Sequence, residues 1–333
     1  MNSSEDISFK AYVVDEIDGE YIASIKQRKI SELPEGELLV KVCYSSLNYK
    51  DALSISGNKG VTRHFPHTPG IDAVGEVVSD STGQFQSGDQ VIVTSYDLGM
   101  DTDGGFAEYI RVPTSWAVAL PQGLSLKESM ILGTAGLTAA QSVAKIVESV
   151  APEDGDILVT GATGGVGSLS VAILSHLGYS VTALTGKKTA SEFLMSLGAA
   201  KVIDRNEFLD VDNRVLLKPK WAGVVDCVGG DVLVTAIKEA NPLSVITCCG
   251  MVAATDLPLT IFPFILRGVS LVGIDSQHCP MELRKKLWAL LADKWKPKNL
   301  LELTKTVSLE NVDASIKDIL QGQMQGRTLI KIC

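Results

Sequence analysis

Two groups of residues in this 333-residue chain have the types and spacing that chemistry needs. The first is Gly161-Ala-Thr-Gly164-Gly165-Val-Gly167, which follows the apolar run ILVT and opens SLSVAILSHLG. A pyrophosphate needs bare backbone N–H groups at a helix N-terminus, and side chains there would hold it away. The motif requires a strand before it and a helix after it, and both readings are present. Dinucleotide binding is therefore expected in place of a mere tight turn. An NAD site carries an acidic residue about 20 residues past the glycines, for the ribose hydroxyls. Here the chain reads Leu184-Thr185-Gly186-Lys187-Lys188. A hydroxyl and two cations suit an added 2′-phosphate, and Arg205 is placed to close on it. The expected cofactor is NADPH in preference to NADH.

The second group is Asn48-Tyr49-Lys50-Asp51 together with Arg327. Tyr49 is a candidate hydrogen-bond donor or a wall for a nicotinamide. Asp51 is a candidate to orient Tyr49 or Arg327. Arg327 is a candidate to bind a phosphate or polarise a carbonyl. Plainer roles stay open: Tyr49 as a packing residue, Asp51 as a helix cap, Arg327 as a surface cation. Asp226 ends a predicted strand and is expected to order the loop after it. Cys248-Cys249 reads as core. No metal site is expected: tetrahedral zinc wants thiolates and imidazoles, the six cysteines show no paired spacing, and Pro66 separates His64 from His67. His176 and His278 read as ordinary helix and loop residues. A nicotinamide without a metal suits reduction of a conjugated enoyl thioester, where hydrogen-bond donors stabilise the charge developing on the thioester oxygen.

These residues need elements to position them. LLVKVCYSS, AVGEVV, QVIVTSY and AEYIRVP are short alternating strands with Gly and Pro between them, and they suggest a partly open β-barrel. SLKESMILGTAGLTAAQSVAKIV has helical periodicity, with Ser125 and Glu128 as a capping box. From Asp156, strands alternate with helices: ILVT, SVTAL, KVID, GVVDCVGG, SVITCCG and SLVGI. That pattern predicts a doubly wound parallel sheet. MELRKKLWALLADKW is a further amphipathic helix. The last strand has no place in a finished six-stranded sheet and returns to the barrel. The expected domains are residues 1–128 with 296–333 for the barrel and 129–295 for the Rossmann-type unit.

The chain is 45% hydrophobic, 21% charged and 6% aromatic, which describes a folded protein and not a disordered one. Its net charge of −9 argues against nucleic acid as a partner. Unpaired cysteines point to a cytoplasmic location. The polar MNSSEDISFK carries no signal-peptide pattern, and no apolar run is expected to reach membrane-spanning length.

The motifs also carry a family resemblance. PGIDAVGEV with SGDQV and the glycine loop resemble the medium-chain dehydrogenase/reductase superfamily. SSLNYKDAL, FPHTPGID, DGGFAEY, GTAGLTA, PFILRGVSLVGIDS and QGRTLIK are together similar to the bacterial acrylyl-CoA reductase and quinone oxidoreductase family, through nearly the whole chain. The resemblance implies a GroES-like barrel beside the Rossmann-type domain and NADPH-dependent reduction of acrylyl-CoA to propanoyl-CoA, with quinone reduction as the alternative. A redox sensor that binds NADPH without turnover is the non-enzymatic alternative. Implied cofactor contacts are Tyr49, Gly164, Val166, Gly167, Ser168, Thr185, Gly186, Lys187, Arg205, Met251, Ile265, Ser276 and Arg327. Zinc enzymes of the superfamily have a cysteine where this chain has Asn48, and Gly-His-Glu where it has Ile71-Asp72, so the resemblance implies a zinc-free enzyme. A homodimer is expected through the apolar strand around Ser270 to Ser276.

Overall fold

The computed structural model describes residues 7–209 and 214–333. The chain forms two compact units, Met1–Thr134 with Gln277–Ala292 and Leu301–Cys333, and Ala135–Ser276 with Asp293–Leu300.

The first unit holds β1 (Ser8–Ile17), β2 (Glu20–Lys29), β3 (Leu38–Leu47), β4 (Asp72–Asp80), β5 (Gln90–Thr94), β6 (Tyr109–Val112) and β7 (Ala117–Ala119). The second holds β8 (Ile157–Val159), β9 (Val181–Thr185), β10 (Lys201–Asp204), β11 (Trp221–Asp226), β12 (Ala240–Cys248) and β13 (Ser270–Gly273). The chain then returns to the first unit with β14 (Thr304–Ser308) and β15 (Arg327–Lys331).

In the first unit one sheet runs β14-β15-β3-β4-β5-β7, with β6 also on β3. Alternating side chains from these strands, among them Val40, Val42, Ala73, Val91, Val93 and Ile110, bury one face as a shared core. The returning strand β15 lies inside this sheet, antiparallel to β3, as the sequence pattern requires. The hairpin β1–β2 turns on Asp18 and Gly19, both at positive φ, the conformation that a two-residue Asp-Gly loop favours.

The second unit is a six-stranded parallel sheet in the order β10-β9-β8-β11-β12-β13. The chain reverses direction across the sheet between β8 and β11. Parallel sheets of this kind bind ligands beyond the carboxyl ends of their strands at that reversal. The central strands are buried on both faces, which explains their unbroken apolar runs.

Two expectations are corrected here. Helix Met281–Ala292 groups with the barrel unit and not with the parallel sheet. Its Arg284 is fully buried and donates to the Thr94 carbonyl at 2.8 Å and hydroxyl at 2.9 Å, with its guanidinium over the Tyr96 ring. Helix Leu126–Val147 does reach the length and mean hydropathy of a membrane span, at 22 residues and 1.3. However, 78% of its most apolar window is buried inside the fold, and Gly133 breaks its helical backbone at φ +51°. The Ser125–Glu128 box caps its start, each backbone N–H donating to the other's side chain.

Candidate active site

In the barrel unit, the end of β3, the start of β4 and the start of β15 meet around one buried cation. Arg327 is 1% exposed. Its Nε donates to the Ile131 carbonyl at 2.9 Å, and its two terminal nitrogens reach the Leu47 carbonyl at 3.2 Å, Asn48 Oδ1 at 3.1 Å and Ser46 Oγ at 2.8 Å. Asp72 Oδ2 lies 3.7 Å from the guanidinium. That oxygen also accepts from Ser46 Oγ at 2.6 Å and Asn48 Nδ2 at 2.8 Å. Asp72 Oδ1 accepts from the Thr134 backbone N–H at 2.9 Å and its hydroxyl at 2.6 Å, and Thr134 Oγ1 is 2.9 Å from Ser95 Oγ.

This arrangement revises the sequence reading of Arg327. It is the first residue of β15, buried, with its N–H groups directed at protein acceptors, and is not a surface cation. Asp51 likewise does not bond Tyr49 or Arg327. Its carboxylate caps the helix Tyr49–Ile55 by accepting from Asn48 N at 2.7 Å, and it ties in Ile71 N at 2.8 Å. Tyr49 stands on the first turn of that helix, 43% exposed. Asp51 and Arg327 thus both bond Asn48, the residue before Tyr49, through its backbone N–H and its Oδ1 respectively. Ser46, Asp72, Ser95 and Thr134 belong to the same network. Local sequence held no signal for the last three as a group, because they come from three separate elements. His67 lies in a loop, as expected, but is buried and bridged to Val14, and burial lowers its imidazole pKa.

The cluster holds one guanidinium against two carboxyls, Asp51 and Asp72. Burial pushes the Asp51 carboxyl up to about 7, against the opposing effect of its two backbone N–H bonds. The native state therefore keeps a proton that the unfolded chain releases near the ordinary carboxylate value. Stability from this group is greatest below that value and falls as pH rises through about 7. We expect Asp51→Asn to flatten the decline in urea midpoint between about pH 5 and about pH 8. Parallel curves for the two proteins would contradict this origin.

Most of the other predicted residues, though not Ile265, lie at the carboxyl ends of the strands of the second unit. Helix Gly165–His176 starts directly after the glycine loop. Gly161 has φ +58°, and a Cβ on Gly167 would stand 2.3 Å from the Gly161 carbonyl oxygen. The loop and helix are thus as close as glycine alone permits, and the N–H groups of Val166 and Gly167 point out of the first turn, while Ser168 N–H starts the helical ladder by donating to the Gly164 carbonyl at 2.9 Å. Thr185 Oγ1 accepts from Lys187 N at 3.1 Å, and the Arg205 guanidinium packs 3.2 Å from where a Cβ on Gly186 would stand. The Thr185–Lys187 turn and Arg205 therefore form one basic corner. Burial lowers the Lys187 amine pKa, and the Lys188 side chain lies outside the described residues.

Asp226 orders its loop as expected, accepting from Thr160 Oγ1 at 2.6 Å and Gly229 N at 2.9 Å. Met251 and Ile265 are 72% and 68% exposed. Of the two, Met251 sits against this loop cluster, its Cα 3.4 Å from where a Cβ on Gly229 would stand. Ile265 is on the short helix Phe262–Arg267, whose Arg267 is anchored to the carbonyls of Lys238 and Ala240, at the opposite end of β12. Ser276, partly buried, follows β13. Cys248 and Cys249 are half-buried at the end of β12, not sealed in the core.

A glycine-loop parallel sheet and a barrel unit completed by the terminal strand define a nicotinamide-dependent dehydrogenase/reductase. Residues 34–122 match the alcohol dehydrogenase GroES-like domain, and residues 165–293 match the zinc-binding dehydrogenase family. YhfP of Bacillus subtilis, which carries the name of a quinone oxidoreductase, is 44% identical over 92% of this chain and 94% of its own. Its crystal structure with NAD bound has a TM-score of 0.96, covering 98% of this chain and 100% of that one at 42% identity. The acrylyl-CoA reductase AcuI of Ruegeria pomeroyi is 39% identical over 97% of this chain and 99% of its own. The yhdH oxidoreductase of Salmonella enterica, crystallised with NADP, has a TM-score of 0.94 and 40% identity, covering 97% of this chain and 100% of that one. The chain belongs to this acrylyl-CoA reductase and quinone oxidoreductase family of the medium-chain dehydrogenase/reductase superfamily, and it is an oxidoreductase.

The zinc in the family description does not fit these residues. Asn48 and Asp72 are bonded to each other and to a buried guanidinium, and that cation would repel a divalent ion placed beside it. Among the described residues, no group of three or more His, Cys, Asp or Glu side chains could hold a metal.

Proposed function

We propose that this enzyme reduces the carbon–carbon double bond of a short enoyl thioester, acrylyl-CoA, with NADPH. The observation that carries the cofactor choice is the corner formed by Thr185, Gly186, Lys187 and Arg205, which brings two cations together, while the neighbouring Asp204, paired with Thr185, uses its carboxylate to accept from Asn206 N at 2.8 Å. The YhfP structure holds NAD and the Salmonella structure NADP, so the corner itself must decide. The glycine loop and the start of helix Gly165–His176 would hold the pyrophosphate. When bound, the reduced nicotinamide supplies hydride to the β-carbon of the substrate. The Tyr49 hydroxyl is the exposed donor of the barrel unit suited to polarise the thioester carbonyl, with Arg327 and Asp51 holding its segment in place. Similarity to AcuI over nearly the full chain supports the acyl-CoA acceptor.

Arg205→Ala is expected to weaken NADPH binding about tenfold or more, because a charge-assisted hydrogen bond contributes about 1.5–3 kcal/mol. NADH binding should barely change, and equal losses for both cofactors would refute the assignment. NADPH oxidation with acrylyl-CoA, crotonyl-CoA and small quinones tests the acceptor. The largest kcat/KM is expected with acrylyl-CoA, since CoA offers remote binding energy for orientation. Equal efficiency with quinones would favour the quinone reading, and no turnover with any acceptor the sensor reading. We also propose a cytoplasmic homodimer that pairs through β13, the edge strand of the parallel sheet. Light scattering at micromolar concentration should give twice the chain mass, and a monomer would exclude it.

A further inference from the structure

The ends of β11 and β12 bring together two thiols that the reaction above does not use. The strands pair in register up to Asp226 and Cys248, so Cys227 and Cys249 leave the sheet side by side. Their sulfurs are 3.8 Å apart. The Cys249 backbone N–H and thiol both reach the Asp226 carbonyl, at 3.0 and 3.3 Å, which fixes that side of the pair. Adjacent strands lie about 4.8 Å apart, within the Cα separations a disulfide spans. Bond formation at about 2.05 Å therefore needs the sulfurs to approach by less than 2 Å, without moving an element. Cys249 is half-buried and is the thiol a small oxidant meets first, while the Cys227 sulfur lies deeper.

The pair is also built into the cofactor loops. A Cβ on Gly161 of the glycine loop would stand 3.4 Å from Cys227 Cβ and 2.9 Å from Val228 Cγ2. A Cβ on Gly250, just after Cys249, would stand 2.1 Å from the Cys227 carbonyl oxygen. Three loops therefore touch with no slack, and Cys227 lies among them.

We propose that Cys227 and Cys249 form a reversible disulfide under hydroperoxide and that this bond lowers cofactor affinity. The second half of the statement rests on the dinucleotide reading above. The Cys249 sulfur attacks one oxygen of the hydroperoxide, the O–O bond breaks, and a sulfenic acid and an alcohol (water, for hydrogen peroxide) result. The Cys227 sulfur then attacks the sulfenic sulfur, the S–S bond forms and water leaves. Two thiols lose two electrons and the peroxide gains them, the thiol protons ending in water and the alcohol. The hydrogen bond with Cys249 and burial hold the Cys227 thiol well above the ordinary range. At neutral pH Cys227 rests as a thiol, and the pair responds to sustained oxidant, not to traces.

The test uses the full-length protein incubated with hydrogen peroxide, alkylated, and mapped by proteolysis and mass spectrometry. A peptide joining Cys227 to Cys249 is expected. NADPH affinity, read by fluorescence titration, should fall at least tenfold and recover with dithiothreitol. Cys227→Ser and Cys249→Ser should each keep their NADPH affinity after peroxide, while Cys248→Ser should respond as the wild type does. Bridges found only between Cys248 and Cys249, or only between Cys43 and Cys333, would overturn the proposal. A Cys227–Cys249 bridge that leaves NADPH affinity unchanged would overturn the switch alone. Reduced protein that binds no NADPH would instead overturn the cofactor reading.

Discussion

Arg327→Met is expected to destabilise the protein by about 3–5 kcal/mol, the usual effect of removing one partner from a buried charge pair. The reason lies in what the side chain leaves behind. Leu47 and Ile131 lose a donor to their carbonyls, Asn48 loses one to its amide oxygen, and Asp72 loses its cation. Methionine has similar length and no donor. Arg327→Lys should restore part of the loss, because an ammonium keeps the charge but offers three donors in place of a five-donor planar fork. Urea unfolding of the three proteins measures this. A change below about 1 kcal/mol for Met would show that the network contributes no more than an exposed ion pair does. At saturating NADPH and acceptor, the surviving folded Met variant should also lose kcat, since the Asn48–Tyr49 segment is no longer held.

Gly167→Ala should reduce NADPH affinity at least a hundredfold and lower the unfolding midpoint as well. The new methyl would meet the Gly161 carbonyl oxygen at 2.3 Å and the Ala162 Cα at 2.8 Å. Both are backbone atoms of the loop that follows β8, and neither can rotate aside. The helix must move off the loop, which disperses the N–H groups that bind pyrophosphate. Gly164→Ala separates the two effects. Its methyl would meet no protein atom closer than 3.4 Å. It should leave the unfolding midpoint unchanged while still obstructing the anion. Titrations and melting curves for both variants decide the matter: identical behaviour would mean that the glycines serve packing alone.

The parallel sheet is legible because its central strands β8, β9 and β11 are buried apolar runs that alternate with helix periods, a local pattern that survives without tertiary information. The glycine loop and its basic corner were legible for the same reason: Gly161 to Gly167 is one segment, and Thr185 to Lys187 another at a fixed distance from it. The return of the last strand followed from counting strands against the sheet. The hairpin of β1 and β2 went unread although Asp18-Gly19 is a strong local turn signal. The unit that holds Arg327 is legible, but its burial is not, because nothing near it in sequence announces it. Its acceptors are 196 to 281 residues away. Separations of 62 residues between Asp72 and Thr134 and 39 between Thr134 and Ser95 hide that part of the network, and the 22-residue separation of Cys227 from Cys249 hides their contact. Helix Met281–Ala292 carries apolar and polar faces that suit either unit, and long-range contacts such as Arg284 to Thr94 and Tyr96 assign it.

The position of β15 has a consequence for how the protein is made. Tyr44 to Leu47 of β3 pair with Lys331 to Thr328, and the Leu47 carbonyl waits for a donor 280 residues downstream. At the usual elongation rate of about 5–20 residues per second, that half of β3 stays open for roughly 14–56 s on the ribosome. The parallel-sheet segment Ala135–Ser276 is continuous and needs no strand from the late-made part of the chain. Vectorial synthesis therefore inverts the order of the sequence: the middle of the chain can finish folding first, while the end of β3 and the buried Asp72 wait for the last strand. During that interval the open edge is a site for nascent-chain aggregation, and its protection by a chaperone is a demand set by topology.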